Sequence, residues 1–279
     1  MTPRGAPLAA RAIIPAMSWI LAILSGWLLG VLVNLAADSL PFERRLSLPR
    51  CPTCTAPRRL LEWSGAAALL LGRTGCPYCA RRRGWRPIVV EVISAAGVVL
   101  LLAKYGVGLA GLRTAVVCLS FLLICVTDFE HRLIPHSVSL PSAVLFALLG
   151  AVDPRMGAAK SLQGGLAGAA AFFLLYLLGL LFARAVGRAR GRALDEVAFG
   201  FGDVTLAGLI GLAVGWPGVV IALFFGVLAA GLFSLAYLLW MLLRGRYAAF
   251  LPIPYGPFLI AGALFILLGG RSTLERLFL

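Results

Sequence analysis

Two acidic side chains stand where apolar segments meet polar turns. Asp128 lies in VTDFEHRLIPHSVSLP, and Asp203 lies in FGFGDVTLAGLIGLAVG, between a glycine cluster and an apolar run. Ionisable groups in or beside a membrane span are costly and mark function by default. Two carboxylates at short range do not ionise together easily, so they share a proton. The ionised member can take a proton from water. The protonated member can hydrogen-bond a carbonyl and then protonate the leaving amine. That pair hydrolyses a peptide bond without a metal or a covalent nucleophile. Gly200 and Gly202 remove side-chain bulk on either side of Phe201, so an extended substrate backbone can come close. The run after Asp203 reads as a partial helix whose N-terminus adds positive potential near the acid. The plainer reading of Asp203 alone is a helix cap.

A second chemistry-bearing set is CPTC at 51–54 with CPYC at 76–79. Four thiolates in two C-x2-C pairs can close a tetrahedron around one zinc ion, with Cys51, Cys54, Cys76 and Cys79 as ligands. The 21 residues between the pairs slightly exceed the usual zinc-ribbon interval. The alternative, two disulfides, is disfavoured in a reducing cytoplasm. A four-sulfur site leaves no position for water, so the zinc is structural. Cys118 and Cys125 share a helical face and read as buried small hydrophobes.

The elements that carry these residues follow from composition. The chain has 279 residues, of which 61% are hydrophobic and 13% charged, too apolar for soluble domains. Apolar runs recur at roughly 17–36, 88–103, 108–127, 133–152, 163–183, 203–216, 217–243 and 253–270. The expected fold is an all-α polytopic membrane protein of about eight transmembrane helices with a small cytoplasmic zinc-binding loop module. Its expected parts are a first transmembrane helix at 1–37, the cysteine module at 38–87 and a transmembrane catalytic domain at 88–279. Residues 1–36 are expected to remain as a span, because Leu35 spoils a small-x-small cleavage site.

A net charge of +14 first suggests nucleic acid, but the charges sit between apolar runs, where lipid headgroups are the partner. With the N-terminus outside, inner connections hold 17 basic residues and outer segments 8. The positive-inside rule therefore places both termini outside and the cysteine loop in the cytoplasm. The span ending at Asp128 then finishes on the side where the span opening at Asp203 begins. Both acids reach one depth, at a cytoplasmic edge that water can enter.

Smaller features take plainer readings. Glu91 lies near the start of the second span, and Glu130 either tunes Asp128 or is an exposed loop acid. His131 and His136 read as surface or headgroup contacts rather than metal ligands, and Asn34 as an interhelical hydrogen bonder. The segment Leu60–Leu71 is too short to span and either packs on the zinc module or lies on the membrane surface. The arginines at 81–83 and 184–192 anchor inner loops.

Together these residues resemble the bacterial type IV prepilin peptidases, membrane aspartic proteases of the GxGD type. GFGD at 200–203 matches the GxGD motif, and TDFEHRLIP at 127–135 is similar to the segment that carries the other acid. GVLVNLAADSLP at 30–41, the paired CxxC loop and PIPYGPFLIAG at 252–262 resemble three further family segments. The resemblance implies Asp128 and Asp203 as the catalytic pair. It implies type IV prepilins and type II secretion pseudopilins as substrates, cut at the cytoplasmic face of the bacterial inner membrane. Many members also methylate the new N-terminus with S-adenosylmethionine, for which the sequence carries no independent motif. Thr205 stands where the family usually has Lys, His136 where it usually has Asp, and Val31 where it usually has Ser. Two other classes fit the composition: a proton-coupled or cation transporter with a regulatory zinc loop, and a non-catalytic secretion-system scaffold. A transporter would place its acids near the midplane and often shows repeats.

Overall fold

A computed structural model of the chain describes residues 8–43, 45–190, 200–245 and 254–270. Arg4, Arg44, Arg192, Arg246, Arg271 and Arg276, which enter the charge asymmetry, lie outside the described residues, as do Phe199, Pro252 and Ile253. The helices are α1 (Leu8–Glu43), α2 (Gly65–Leu70), α3 (Arg86–Tyr105), α4 (Leu109–His131), α5 (His136–Val152), α6 (Gly157–Arg190), α7 (Phe201–Val214), α8 (Gly218–Leu243) and α9 (Gly256–Phe265). A 3-10 turn (Leu60–Glu62) precedes α2, and a π-helical turn (Ile266–Gly270) extends α9. Among the described residues the only β pairing is two isolated bridges in the cysteine loop.

Five helices are long and apolar enough to cross a membrane, and three shorter apolar ones accompany them. The eight expected spans fall on these helices in order. Leucines on the outer faces of α1, α6 and α8, such as Leu28, Leu178 and Leu232, are exposed, as lipid contact requires.

The chain divides into two compact units, Met1–Leu123 and Ile124–Leu279, with α4 running across the boundary. In the first unit α1 packs along α3. Gly26 and Gly30 stand one turn apart on α1, and each faces α3 backbone. A Cβ at Gly26 would lie 2.7 Å from the Ala95 Cα, and one at Gly30 2.7 Å from the Glu91 Cα. Small residues at this spacing let two helix backbones meet where lipid offers no hydrophobic drive. One turn further, the Asn34 amide donates to the Pro87 carbonyl at 3.0 Å, the interhelical bond its polarity predicted.

In the second unit α6 and α7 meet through glycines. A Cβ at Gly164 would lie 2.7 Å from the Gly215 carbonyl carbon, and one at Gly211 2.8 Å from the Gly165 Cα. Gly226 on α8 faces the Leu259 Cα of α9 in the same way, at 2.8 Å. The Ser161 hydroxyl adds a bond to the Leu212 carbonyl at 2.9 Å. This packing explains α7. It has 14 residues, short for a span, and Leu206, Ala207, Leu209, Ile210 and Ala213 are almost fully buried. A helix enclosed by protein does not need to match the bilayer thickness, because its backbone and side chains never meet lipid.

Candidate active site

Asp128 sits one turn before the end of α4, and Asp203 sits in the first turn of α7. Both belong to the second unit. The chain leaves α4 through Arg132, which has a positive φ of 53° and donates its amide to the Asp128 carbonyl at 2.8 Å. This left-handed residue ends the helix and turns the backbone away. The turn delivers Ile134 onto α7, where a Cβ at Gly202 would lie 3.4 Å from the Ile134 Cβ. The end of α4 is thus held against the start of α7.

The N-terminus of α9 closes the same corner. The Gly256 amide donates to Asp128 Oδ2 at 3.1 Å. A Cβ at Gly256 would lie 3.1 Å from the Asp128 Cγ and 3.5 Å from Leu206 Cδ2. Leu206 is one helical turn beyond Asp203 on α7, so Gly256 lies between the two acid-bearing helices. Asp128 is 7% exposed. Asp203 is only partly buried, and the neighbouring Gly200 and Phe201 are exposed. Two carboxylates 75 residues apart in sequence therefore share a corner of one unit, with one tucked under α9 and the other toward the outside.

Asp203 also caps its own helix. Its Oδ2 accepts the Gly200 amide at 3.2 Å, the reach-back that an N3 acid makes. That bond uses one lone pair of one carboxylate oxygen, so the cap by itself does not preclude a partner for Asp203. The space freed at Gly202 is filled by Ile134 rather than left for a substrate. The space at Gly200 stays open, since a Cβ there would meet nothing closer than 3.9 Å. Thr205, where the resembling family has Lys, donates its hydroxyl to the Gly202 carbonyl at 2.7 Å and brings no charge to the corner. Glu130 faces outward from the last turn of α4, with His131 Nε2 3.8 Å from its carboxylate.

The cysteine loop belongs to the first unit and is built twice from one pattern. The Cys51 amide donates to Ala56 and the Thr55 amide to Cys51, both at 2.9 Å. In the second knuckle the Cys76 amide donates to Arg81 at 3.0 Å and the Ala80 amide to Cys76 at 2.9 Å. Thr55 and Ala80 occupy the same left-handed position, with φ of 56° and 54°. The four Sγ atoms of Cys51, Cys54, Cys76 and Cys79 lie within 4.8 Å of one another, and the cysteines are free. Cys51 and Cys79 approach to 3.6 Å, and Cys54 and Cys76 to 3.5 Å. Zinc–sulfur bonds of about 2.3 Å in a tetrahedron require sulfur separations near 3.8 Å, so the cluster can hold that ion. Backbone amides of Cys54 and Thr53 pull the Cys51 thiol down to about 6. Those of Tyr78 and Cys79 lower Cys76 likewise. Each knuckle thus offers a thiol predisposed to the thiolate that binds metal.

Residues 115–235 match the model of the type IV leader peptidase family, a stretch that contains both aspartates. A prepilin leader peptidase/N-methyltransferase of Burkholderia pseudomallei is 30% identical over 254 residues, covering 84% of this chain and 75% of its own length. The chain belongs to the leader peptidase family. A second enzyme of the same description, from Bacillus subtilis, is 28% identical over 253 residues, with 90% and 94% covered. One from Aeromonas salmonicida is 29% identical over 236 residues, with 82% and 74% covered. No solved structure matches the chain.

Two residues of this family member escaped sequence reasoning. Gly256 was visible only as part of PIPYGPFLIAG, and its amide contact with Asp128 spans 128 positions. Glu91 was visible as an acid near a span, but nothing local shows that it is 1% exposed and accepts from the distant Ser64 and Trp27. For Glu91 the available signal was its lone charge within VVEVISAAG.

Proposed function

We propose that this chain is a prepilin leader peptidase in which Asp128 and Asp203 form the catalytic pair. The observation that carries the reading is the corner in which α9, through Gly256, sits against both Asp128 and Leu206, one turn beyond Asp203 on α7. One aspartate, as the carboxylate, takes a proton from water, and the resulting hydroxide attacks the scissile carbonyl carbon. The other, as the acid, hydrogen-bonds the carbonyl oxygen. The tetrahedral intermediate then collapses, the C–N bond breaks and the amine leaves with a proton from the pair. Both acids lie at helix ends rather than midway along a span, which suits a water-consuming reaction better than ion transport.

The substrates we propose are type IV prepilins and type II secretion pseudopilins, cut at the cytoplasmic face of a bacterial inner membrane. Both termini lie outside in this topology, and the cysteine loop lies inside with Cys51, Cys54, Cys76 and Cys79 holding a structural zinc ion. The zinc fixes the fold of the loop and takes no part in hydrolysis.

The test is a prepilin co-expressed with Asp128→Asn or Asp203→Asn. Each variant should accumulate in the membrane as wild type does and leave the precursor uncut. Normal cleavage by either one overturns the pair. The relatives' names also carry an N-methyltransferase activity. The same assay with labelled S-adenosylmethionine shows whether this chain shares it.

A further inference from the structure

Among the described residues, Glu91 is the most enclosed ionisable side chain that the proposed hydrolysis does not use. It projects from the second turn of α3, at the α1–α3 contact, and is 1% exposed. A carboxylate at such a place is unfavourable unless donors surround it. Four do. The Ser64 hydroxyl donates to Oε2 at 2.6 Å, and the Ala66 amide to the same oxygen at 3.0 Å. The Trp27 indole on α1 donates to Oε2 at 3.0 Å, and the Gly65 amide to Oε1 at 2.6 Å. Trp27 also reaches the Ser64 hydroxyl, at 3.1 Å. One carboxylate therefore ties together α1, α3 and the segment between the two cysteine knuckles.

The other side of that segment is held from the metal-binding side of the loop. The Arg83 guanidinium donates to the carbonyls of Glu62, Trp63 (3.0 Å) and Ser64 (3.2 Å). The Arg83 amide closes the second knuckle by donating to the Thr74 carbonyl at 2.8 Å. The carbonyls of residues 62–64 are thus bound by a knuckle residue, and the amides of residues 65 and 66 by a helix residue. Gly65 fits between because a Cβ there would lie 2.9 Å from the Ile88 amide nitrogen of α3.

We propose that Glu91 is a positioning residue that latches the cysteine module onto the α1–α3 pair, and that through Arg83 the latch and the metal cluster stabilise each other. The proposal rests on the zinc reading given above. A linkage of this kind is reciprocal: whatever loosens the latch weakens metal binding, and removing metal loosens the latch.

The experiment uses the full-length protein in lipid nanodiscs. It measures zinc affinity by competition with a chromogenic chelator, amide exchange of residues 64–68, and the 1H–15N indole resonance of Trp27, assigned with Trp27→Phe. In wild type, stripping zinc should shift the Trp27 indole signal and speed exchange at 64–68. Glu91→Gln should do both with zinc present, because an amide nitrogen would then face donors, and should weaken zinc binding by about 10- to 100-fold, as loss of outer-sphere support does. Arg83→Gln should weaken zinc similarly. If Glu91→Gln does not fold, Ser64→Ala and Trp27→Phe each remove one donor, and each should weaken zinc several-fold. Zinc bound by these variants as tightly as by wild type overturns the coupling alone. Wild-type protein that takes up no zinc overturns the metal reading and the coupling with it.

Discussion

Gly256→Ala tests the corner at its narrowest point. The new Cβ would lie 3.1 Å from the Asp128 Cγ, too close for the carboxylate to stay where it accepts the Gly256 amide. The helix itself should tolerate alanine, a better helix former than glycine, and Gly256 has no positive φ. The damage is therefore local. Asp128 must swing away and lose a hydrogen bond from a backbone amide to a charged acceptor, worth about 1.5–3 kcal/mol. At about 1.4 kcal/mol per decade, that predicts a fall of roughly 10- to 100-fold in kcat/KM. The control is Gly231→Ala on α8, where the added Cβ would meet nothing within 4 Å and should cost little. The assay is time-resolved cleavage of a purified prepilin by each variant in matched membranes, with thermal inactivation measured in parallel. Gly256→Ala cleaving within about threefold of wild type, at unchanged stability, would refute the claim that Gly256 holds Asp128 in place.

Other expectations follow from the packing and the metal cluster. Cys51→Ser should lower bound zinc from about one ion per chain, as metal analysis of the purified protein would show. Cys51 is lowered to about 6 and Cys76 is lowered too, while Cys54 and Cys79 are raised, so protons compete with the metal for the four sulfurs more strongly as pH falls. Zinc retention against a fixed chelator should therefore drop between pH 7 and pH 5. Gly211→Ala places a Cβ 2.8 Å from the Gly165 Cα across the α6–α7 contact and should cost about 1–3 kcal/mol, visible as faster thermal inactivation. Arg132→Gly should raise stability by about 1 kcal/mol, because the left-handed φ of 53° no longer strains a side chain.

What the residues determine locally is nearly all of the membrane architecture. Five apolar runs of span length mark helices because the bilayer imposes its own length scale on a crossing segment, and three shorter apolar runs mark the shorter helices. The cysteine spacing marks a metal knuckle because two residues between thiols make the turn that aims both sulfurs at one point. Membership of the family is legible in short motifs for the same reason, since each motif is a local piece of backbone. The tertiary structure alone decided which ends of which helices meet. The positive-inside reading of the sequence places Asp128 and Asp203 at one depth, but the corner around them depends on Ile134 seating on Gly202 and on Gly256 reaching Asp128, contacts between residues far apart in the chain. The same holds for Glu91, whose neighbours on α1 and beside α2 arrive from 64 and 27 positions away. Periodicity reports which face of a helix is apolar. It carries no information on which other backbone approaches that face, and here glycines at those faces set how close the approach can be.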